Sequence, residues 1–200
     1  MILASQSPRR IQLLSEAGYS FRVIPSRVDE RAIGSDTPEG LSRALASAKA
    51  LACAREALPG EIVIGSDTVV ALGDEVLGKP VDDEDARRML RCLSGAVHSV
   101  TTSVSIVADG GEIAGFSQTA CVEFWDLCED EIATYVATGE PRDKAGAYGI
   151  QGKGRLLVKG IEGDFYTVVG LPVSRLVRLL RSLGCPPAAE GGQNTATRYR

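Results

Sequence analysis

Two adjacent arginines, Arg9 and Arg10, stand where a helix is expected to begin. In MILASQSPRRIQLLSEAG an apolar strand start, Met1 to Ala4, runs into Ser5-Gln6-Ser7-Pro8. A helical pattern then opens with the arginines and continues through Ile11, Leu13 and Leu14 to Gly18. Ser7 reads as the N-cap, Pro8 as the first helical residue and Gly18 as a left-handed stop. The free amides of a helix start already carry partial positive charge, so cations there are unfavourable by roughly 0.3–1 kcal/mol each unless an anion completes the site. Either the pair is a solvated surface feature, or a phosphate is the missing charge. The convergence of two serines, two arginines and a helix start on one spot favours the phosphate.

A carboxylate with comparable potential lies further on. Asp67 interrupts EIVIGSDTVVAL, a run of strand formers, where an unpaired charge costs several kcal/mol. It is expected to be solvated at a strand break, paired, or bound to a metal; a Gly-Ser-Asp bend between two short strands explains the same letters. Lys79, between Gly78 and Pro80, is held extended and can project from a hairpin rim. By spacing alone Lys49, in an Ala-rich helix, and Glu30, in the charged loop VDER, read as surface residues. EPRDKAGAYGIQGKG carries Asp143, Lys144, Tyr148 and Gln151 among glycines, spacing that lets backbone approach a ligand closely or makes plain turns. No Walker A or dinucleotide fingerprint is present. Few carboxylates beside a phosphate cradle suit magnesium, which is typically held by one or two carboxylates plus substrate oxygens.

The elements that must position these groups alternate as in an α/β protein. Predicted strands cover Met1 to Ala4, FRVIPS, EIVIGSDTVVAL and EVLG, with Gly73-Asp74 as a tight hairpin turn. Further strands are expected at His98 to Ala108 and around Phe116 to Trp125, and LLVKGIEGDFYTVVG reads as a hairpin. Helices are predicted from Thr37 to Leu58, Asp82 to Leu93, about Glu129 to Ala137, and from Pro172, burying Val173, Leu176, Val177, Leu180 and Leu183. Residues 185 to 200 lack apolar periodicity and read as a disordered tail after a single domain spanning 1 to 184.

Composition narrows the classes. At 200 residues and 44% hydrophobic, the chain can bury a full core without staples. A net charge of −4, without long charge blocks, shows no footprint for nucleic acid, and 5% aromatic content disfavours a single-strand binder. No signal-like or membrane-spanning run is visible, so a cytoplasmic protein is expected. Five cysteines without C-x-x-C spacing argue for reduced, mostly buried thiols. His98, the single histidine, sits in an alternating strand and reads as structural.

The ordered set LASQSPRR, GSDTVV, GKP, EPRDKAGAYGIQG and GDFYTVVGLP resembles the Maf family, also called septum-formation inhibitor proteins, over about residues 1 to 184. The resemblance implies an α/β fold related to the inosine triphosphatases, a mixed sheet with flanking helices and two lobes around a substrate cleft. It implies a nucleoside triphosphate pyrophosphatase that cuts between the α and β phosphates and depends on a divalent cation, Mg or Mn. On this chain Ser5, Ser7 and Arg10 match the phosphate-binding loop, and Lys49 and Lys79 further phosphate contacts. Asp67 matches the proton acceptor, and Glu30 an acidic residue close to the metal and water; these two are the expected metal contacts. Arg9, Thr68 and Gln151 place the chain with the branch acting on dTTP and UTP, not with its 7-methyl-GTP sister branch. An amide at Gln151 can donate and accept at once, as a pyrimidine edge requires. A homodimer and a link to cell division belong to the same implication, and the alternatives are a nucleotide-sensing regulator of septum formation without turnover, or a 7-methyl-GTP pyrophosphatase.

Overall fold

The structure, a computed structural model, describes residues 1–188. Its first part alternates strand and helix: β1 (Ile2–Leu3), α1 (Pro8–Glu16), β2 (Arg22–Val23), α2 (Pro38–Ala54) and β3 (Val63–Leu72). There follow β4 (Glu75–Leu77), α3 (Asp83–Leu93), β5 (Val97–Ala108), β6 (Gly111–Phe124) and α4 (Glu129–Val136). The chain closes with β7 (Val158–Glu162), α5 (Phe165–Val169) and α6 (Val173–Ser182). The strands form one mixed sheet in the order β2-β1-β3-β5-β6-β7, with β4 added to β3. β1 runs parallel to β2 and β3, and the other pairings are antiparallel. This is the expected mixed α/β architecture.

Local chemistry accounts for most boundaries. Thr37 caps α2 by accepting from the Gly40 amide, and Asp82 caps α3 by accepting from Asp85. α2 ends at Ala54, short of the expected Leu58, because the chain tightens into three-residue turns at Glu56 and Ala57 before Pro59-Gly60. β6 begins at Gly111, earlier than Phe116, because Asp109 and Gly110 both adopt positive φ in a primed hairpin turn. The Asp-Gly signal for it was present in the sequence.

Three expectations are revised. LLVKGIEGDFYTVVG is not a hairpin: after β7, Asp164 accepts from the Thr167 amide at 2.7 Å and starts α5. A local cap there outweighs the β-branched and aromatic character of Phe165–Val169. The thiols are all free, but only Cys53 is buried; Cys92 and Cys128 are exposed. In the segment expected as a tail, residues 185–188 return to α1, with Tyr19 Oη donating to the Cys185 carbonyl and the Ala188 amide to the Gly18 carbonyl. The remainder of that expectation, 189–200, lies outside the described residues.

Apolar packing occupies both sheet faces. Leu14, Ile64, Ile106, Leu176 and Leu180 pack under α1 and α6, while Ala50, Cys53, Val63 and Val107 pack under α2. A further cluster joins Val70, Leu77, Leu90, Phe124, Ile132 and Tyr135 beneath α3 and α4. Of the expected apolar stripe of α6, Leu176 and Leu180 are fully buried, and Val173, Val177 and Leu183 partly so. Among the described residues no helix is long and apolar enough to cross a membrane.

Candidate active site

An interruption at one edge of β3 makes the site. β1 pairs with β3 only at Val63 and Ile64, and β4 only from Val70 onward. Residues 65–69 therefore have β5 on one side and no strand on the other. A cleft of about 840 Å³ opens there, lined by Ser7, Arg9, Arg10, Glu30, Lys49, Asp67, Thr68 and Lys79.

Asp67 is not in a bend. β3 is continuous through it, and Asp67 stands opposite Ser103 on β5. Of the environments expected for this carboxylate, the structure shows a paired one: Lys49 Nζ lies 2.6 Å from Asp67 Oδ1 and 2.7 Å from Glu30 Oε1. α2 can deliver Lys49 this closely because Gly65 lies beneath it. A Cβ at Gly65 would come within 2.2 Å of the Ala46 carbonyl oxygen and 2.8 Å of the Ala50 amide. Small residues on helix and strand thus bracket the lysine, in a helix whose alanine content alone looked unremarkable.

Arg10 fills the place of the missing strand. Its Nη1 donates to the Ser66 carbonyl at 2.8 Å, its Nε to the Gly170 carbonyl at 2.7 Å, and its Nη2 to Thr68 Oγ1 at 2.9 Å. A longer contact joins Nη1 to Ser5 Oγ, which also accepts from the Ser7 amide. Those bonds use four of the five N–H groups of a guanidinium and leave one on Nη2 for the cleft. Ser7 holds the N-cap position of α1, but its side chain makes no capping bond. Arg9 retains a buried Nε without a partner among the described residues.

Charge and burial set the acid–base character. Burial pushes the Asp67 carboxyl above the ordinary carboxylate range, against the pull of Lys49 and Arg10. For Glu30 burial acts in the same sense, but the hydrogen bond and charge of Lys49, with Lys79 and Arg10, outweigh it and hold the carboxyl below that range. Two neighbouring carboxylates are thus driven apart, the pattern that separates a proton acceptor from a permanently charged group. The same couplings place Lys79 close enough to Glu30 to act on its charge.

The structure brings eight of the ten residues assigned through the family resemblance to one cleft, with Ser5 buried and within reach of Arg10. Gln151 is exposed and does not line it; the neighbouring Gly149 and Ile150 do. Thr68, expected to read the base, has its hydroxyl engaged with Arg10 and Thr102. Gly170 was missed as a site residue although its motif, VVGLP, was noticed, because its part is played by a main-chain carbonyl that no side-chain pattern announces. Asp143, Lys144 and Tyr148 also line the cleft.

The mixed sheet with its flanking helices is an α/β fold shared with the solved HAM1 protein from Coxiella burnetii. That structure matches with a TM-score of 0.53 over 90% of this chain and 98% of that one, at 15% identity, a likeness of fold. Within this fold the sequence is decisive: residues 1–183 match the family described as Maf-like protein, and the chain belongs to the Maf family. A dTTP/UTP pyrophosphatase of Geobacillus sp. is 51% identical over 184 residues, 92% of this chain and 98% of that protein. One of Bacillus velezensis is 51% identical over 181 residues, 90% and 95% respectively.

Proposed function

We propose that this chain hydrolyses nucleoside triphosphates, dTTP and UTP foremost, to the monophosphate and pyrophosphate, in the cytoplasm. The observation that carries the reading is Asp67: a buried carboxylate with a raised pKa, in a cleft also lined by Arg9, Arg10, Lys49 and Lys79. Such a site has an excess of positive charge for a polyphosphate and one carboxylate placed to accept a proton. The relatives named dTTP/UTP pyrophosphatase, identical at about half of the positions, support the choice of base.

Asp67 takes a proton from a water as the oxygen forms a bond to the α-phosphorus. The bond from that phosphorus to the bridging oxygen breaks, and the electron pair leaves with pyrophosphate. Lys49, fixed between Asp67 and Glu30, keeps the base oriented and lends charge to the phosphoryl oxygens, as do Lys79 and the remaining N–H of Arg10. Arg10 bonded to main-chain carbonyls needs no reorganisation as charge develops.

The donor set fits a magnesium or manganese ion. Asp67 Oδ2 and Glu30 Oε2 accept no hydrogen bond among the described residues, and no third His, Cys, Asp or Glu joins them there. Two carboxylates leave positions for water and substrate oxygens, as magnesium prefers. When bound, the ion would polarise phosphoryl oxygens and lower the pKa of water.

The test is a panel of dTTP, UTP, CTP and 7-methyl-GTP with magnesium or manganese, with products identified. Monophosphate and pyrophosphate from dTTP and UTP, abolished by a chelator, are expected. Binding without turnover, or release of orthophosphate, overturns the reading. Sedimentation of the same preparation tests the homodimer that this reading includes.

A further inference from the structure

The glycine-dense segment that borders the cleft is wrapped around a carboxylate belonging to the chain itself. Glu140 lies in the short 3-10 turn Glu140–Asp143, and its side chain accepts three hydrogen bonds. Oε1 accepts from Tyr135 Oη at 3.0 Å and the Gly154 amide at 3.3 Å, and Oε2 from the Lys153 amide at 2.8 Å. Tyr135 Oη in turn accepts from the Gly149 amide at 3.0 Å. One end of the segment 149–154 is thereby tied to the tyrosine and the other to the glutamate. The turn between them, closed by the Gly152 amide on the Gly149 carbonyl, carries Ile150, buried against the core at the cleft, and Gln151, exposed outside it.

The glycines follow from this clasp. A Cβ at Gly152 would meet both Glu140 oxygens at 2.2 and 2.3 Å, and one at Gly149 would lie 2.8 Å from Oε1. At Gly154 the obstacle is Tyr135 Oη at 2.7 Å. The close approach permitted at these three positions is to the chain's own polar groups. Tyr135 is buried on α4, so the clasp is anchored in the core.

We propose that Glu140 and Tyr135 are positioning residues for nucleobase selection, holding Gly149 and Ile150, which line the cleft, where a bound base can meet them, with Gln151 just outside. This rests on the reading of the cleft as a nucleotide site. Three donors converge on two oxygens, and only an ionised carboxylate accepts from all three without presenting a donor of its own. Gln at 140 would set an amide N–H₂ against a main-chain N–H or the tyrosine. The effect should fall on recognition of the base, since Arg10, Lys49, Asp67 and Lys79 lie on other elements.

The experiment compares wild type, Glu140→Gln and Tyr135→Phe, the last removing the acceptor of the Gly149 amide and one of the three donors to Glu140. Loss of a charge-assisted bond should raise KM for dTTP and UTP about tenfold and lower the preference for UTP over CTP by a similar factor, with kcat little changed. Amide hydrogen exchange at 149–154 should quicken in both variants while β3 stays protected. A lower kcat with unaltered KM and base preference would mean a merely structural part and overturn the proposal. Unchanged exchange at 149–154 would also overturn it, whatever the substrate. Absence of dTTP and UTP turnover in the wild type would sink the nucleotide reading instead, leaving the exchange result to decide the clasp.

Discussion

Arg10 and Ser66 are joined by a 2.8 Å hydrogen bond from Nη1 to the main-chain carbonyl, at the point where β3 has lost one strand neighbour and not yet gained the next. A buried carbonyl on an open sheet edge needs a donor. Here a charged side chain supplies it, so the residue that closes the sheet also faces the cleft. Fold and site share one guanidinium.

Arg10→Ala should therefore cost both stability and activity. The Ser66 carbonyl loses its donor and the Gly170 carbonyl keeps only Ser66 Oγ, a loss of about 2 kcal/mol or more. Urea unfolding should show this, with KM raised and kcat lowered in the same protein. Arg10→Lys should recover little, because an ammonium cannot reproduce the fork. Unchanged kinetics would restrict Arg10 to a bracing part.

Asp67→Asn retains shape and leaves Lys49 paired with Glu30 at 2.7 Å. Turnover should fall about a hundredfold or more, while the thermal midpoint is held or raised because a buried charge has been removed. In the wild type, kcat/KM should decline as pH falls through the raised pKa of Asp67, above the usual carboxylate range, and the variant's residual rate should lack that limb. Near-normal rates in Asp67→Asn would remove Asp67 as the base.

Gly65→Ala adds one methyl group against the backbone of α2, 2.2 Å from the Ala46 carbonyl. The helix must retreat and take Lys49 from Asp67. A loss of about 1–3 kcal/mol is expected, with reduced turnover. Gly111→Ala, where nothing lies within 4 Å, serves as the control and should change neither.

His98 is buried, bonded through Nε2 to Tyr148 Oη at 2.9 Å, and burial lowers its pKa to about 4. The unfolded chain protonates near 6.5 and the folded one does not, so stability is full above that pH and falls as pH drops toward 4. The change over this window should approach roughly 3 kcal/mol. Urea midpoints measured between these limits should show the slope in wild type and not in His98→Gln; an identical slope in both would assign it elsewhere.

Caps and turns were legible because their signals are local. Thr37, Asp82 and the Gly73-Asp74 turn act within four residues, a range that spacing describes. DFYTVV was misread because its strand-forming side chains were weighed without the Asp164 cap. Lys49 and Glu30 looked like surface residues from spacing and entered the candidate site only through the resemblance to a family. Gln151, entering in the same way, is displayed outside the cleft by a clasp that spacing did not reveal.

What the chain of letters determined was the order of elements, the two arginines at a helix start and a carboxylate that had to be accommodated among strand formers. These depend on periodicity, capping and the cost of burying charge, all properties of neighbours in sequence. Only the tertiary structure decided that Asp67 is answered by Lys49 and that Arg10 completes the β3 edge. Those partnerships span 18 and 56 residues. They arise where one strand ends before the next begins, a consequence of sheet topology and close helix packing over Gly65 that no local pattern contains.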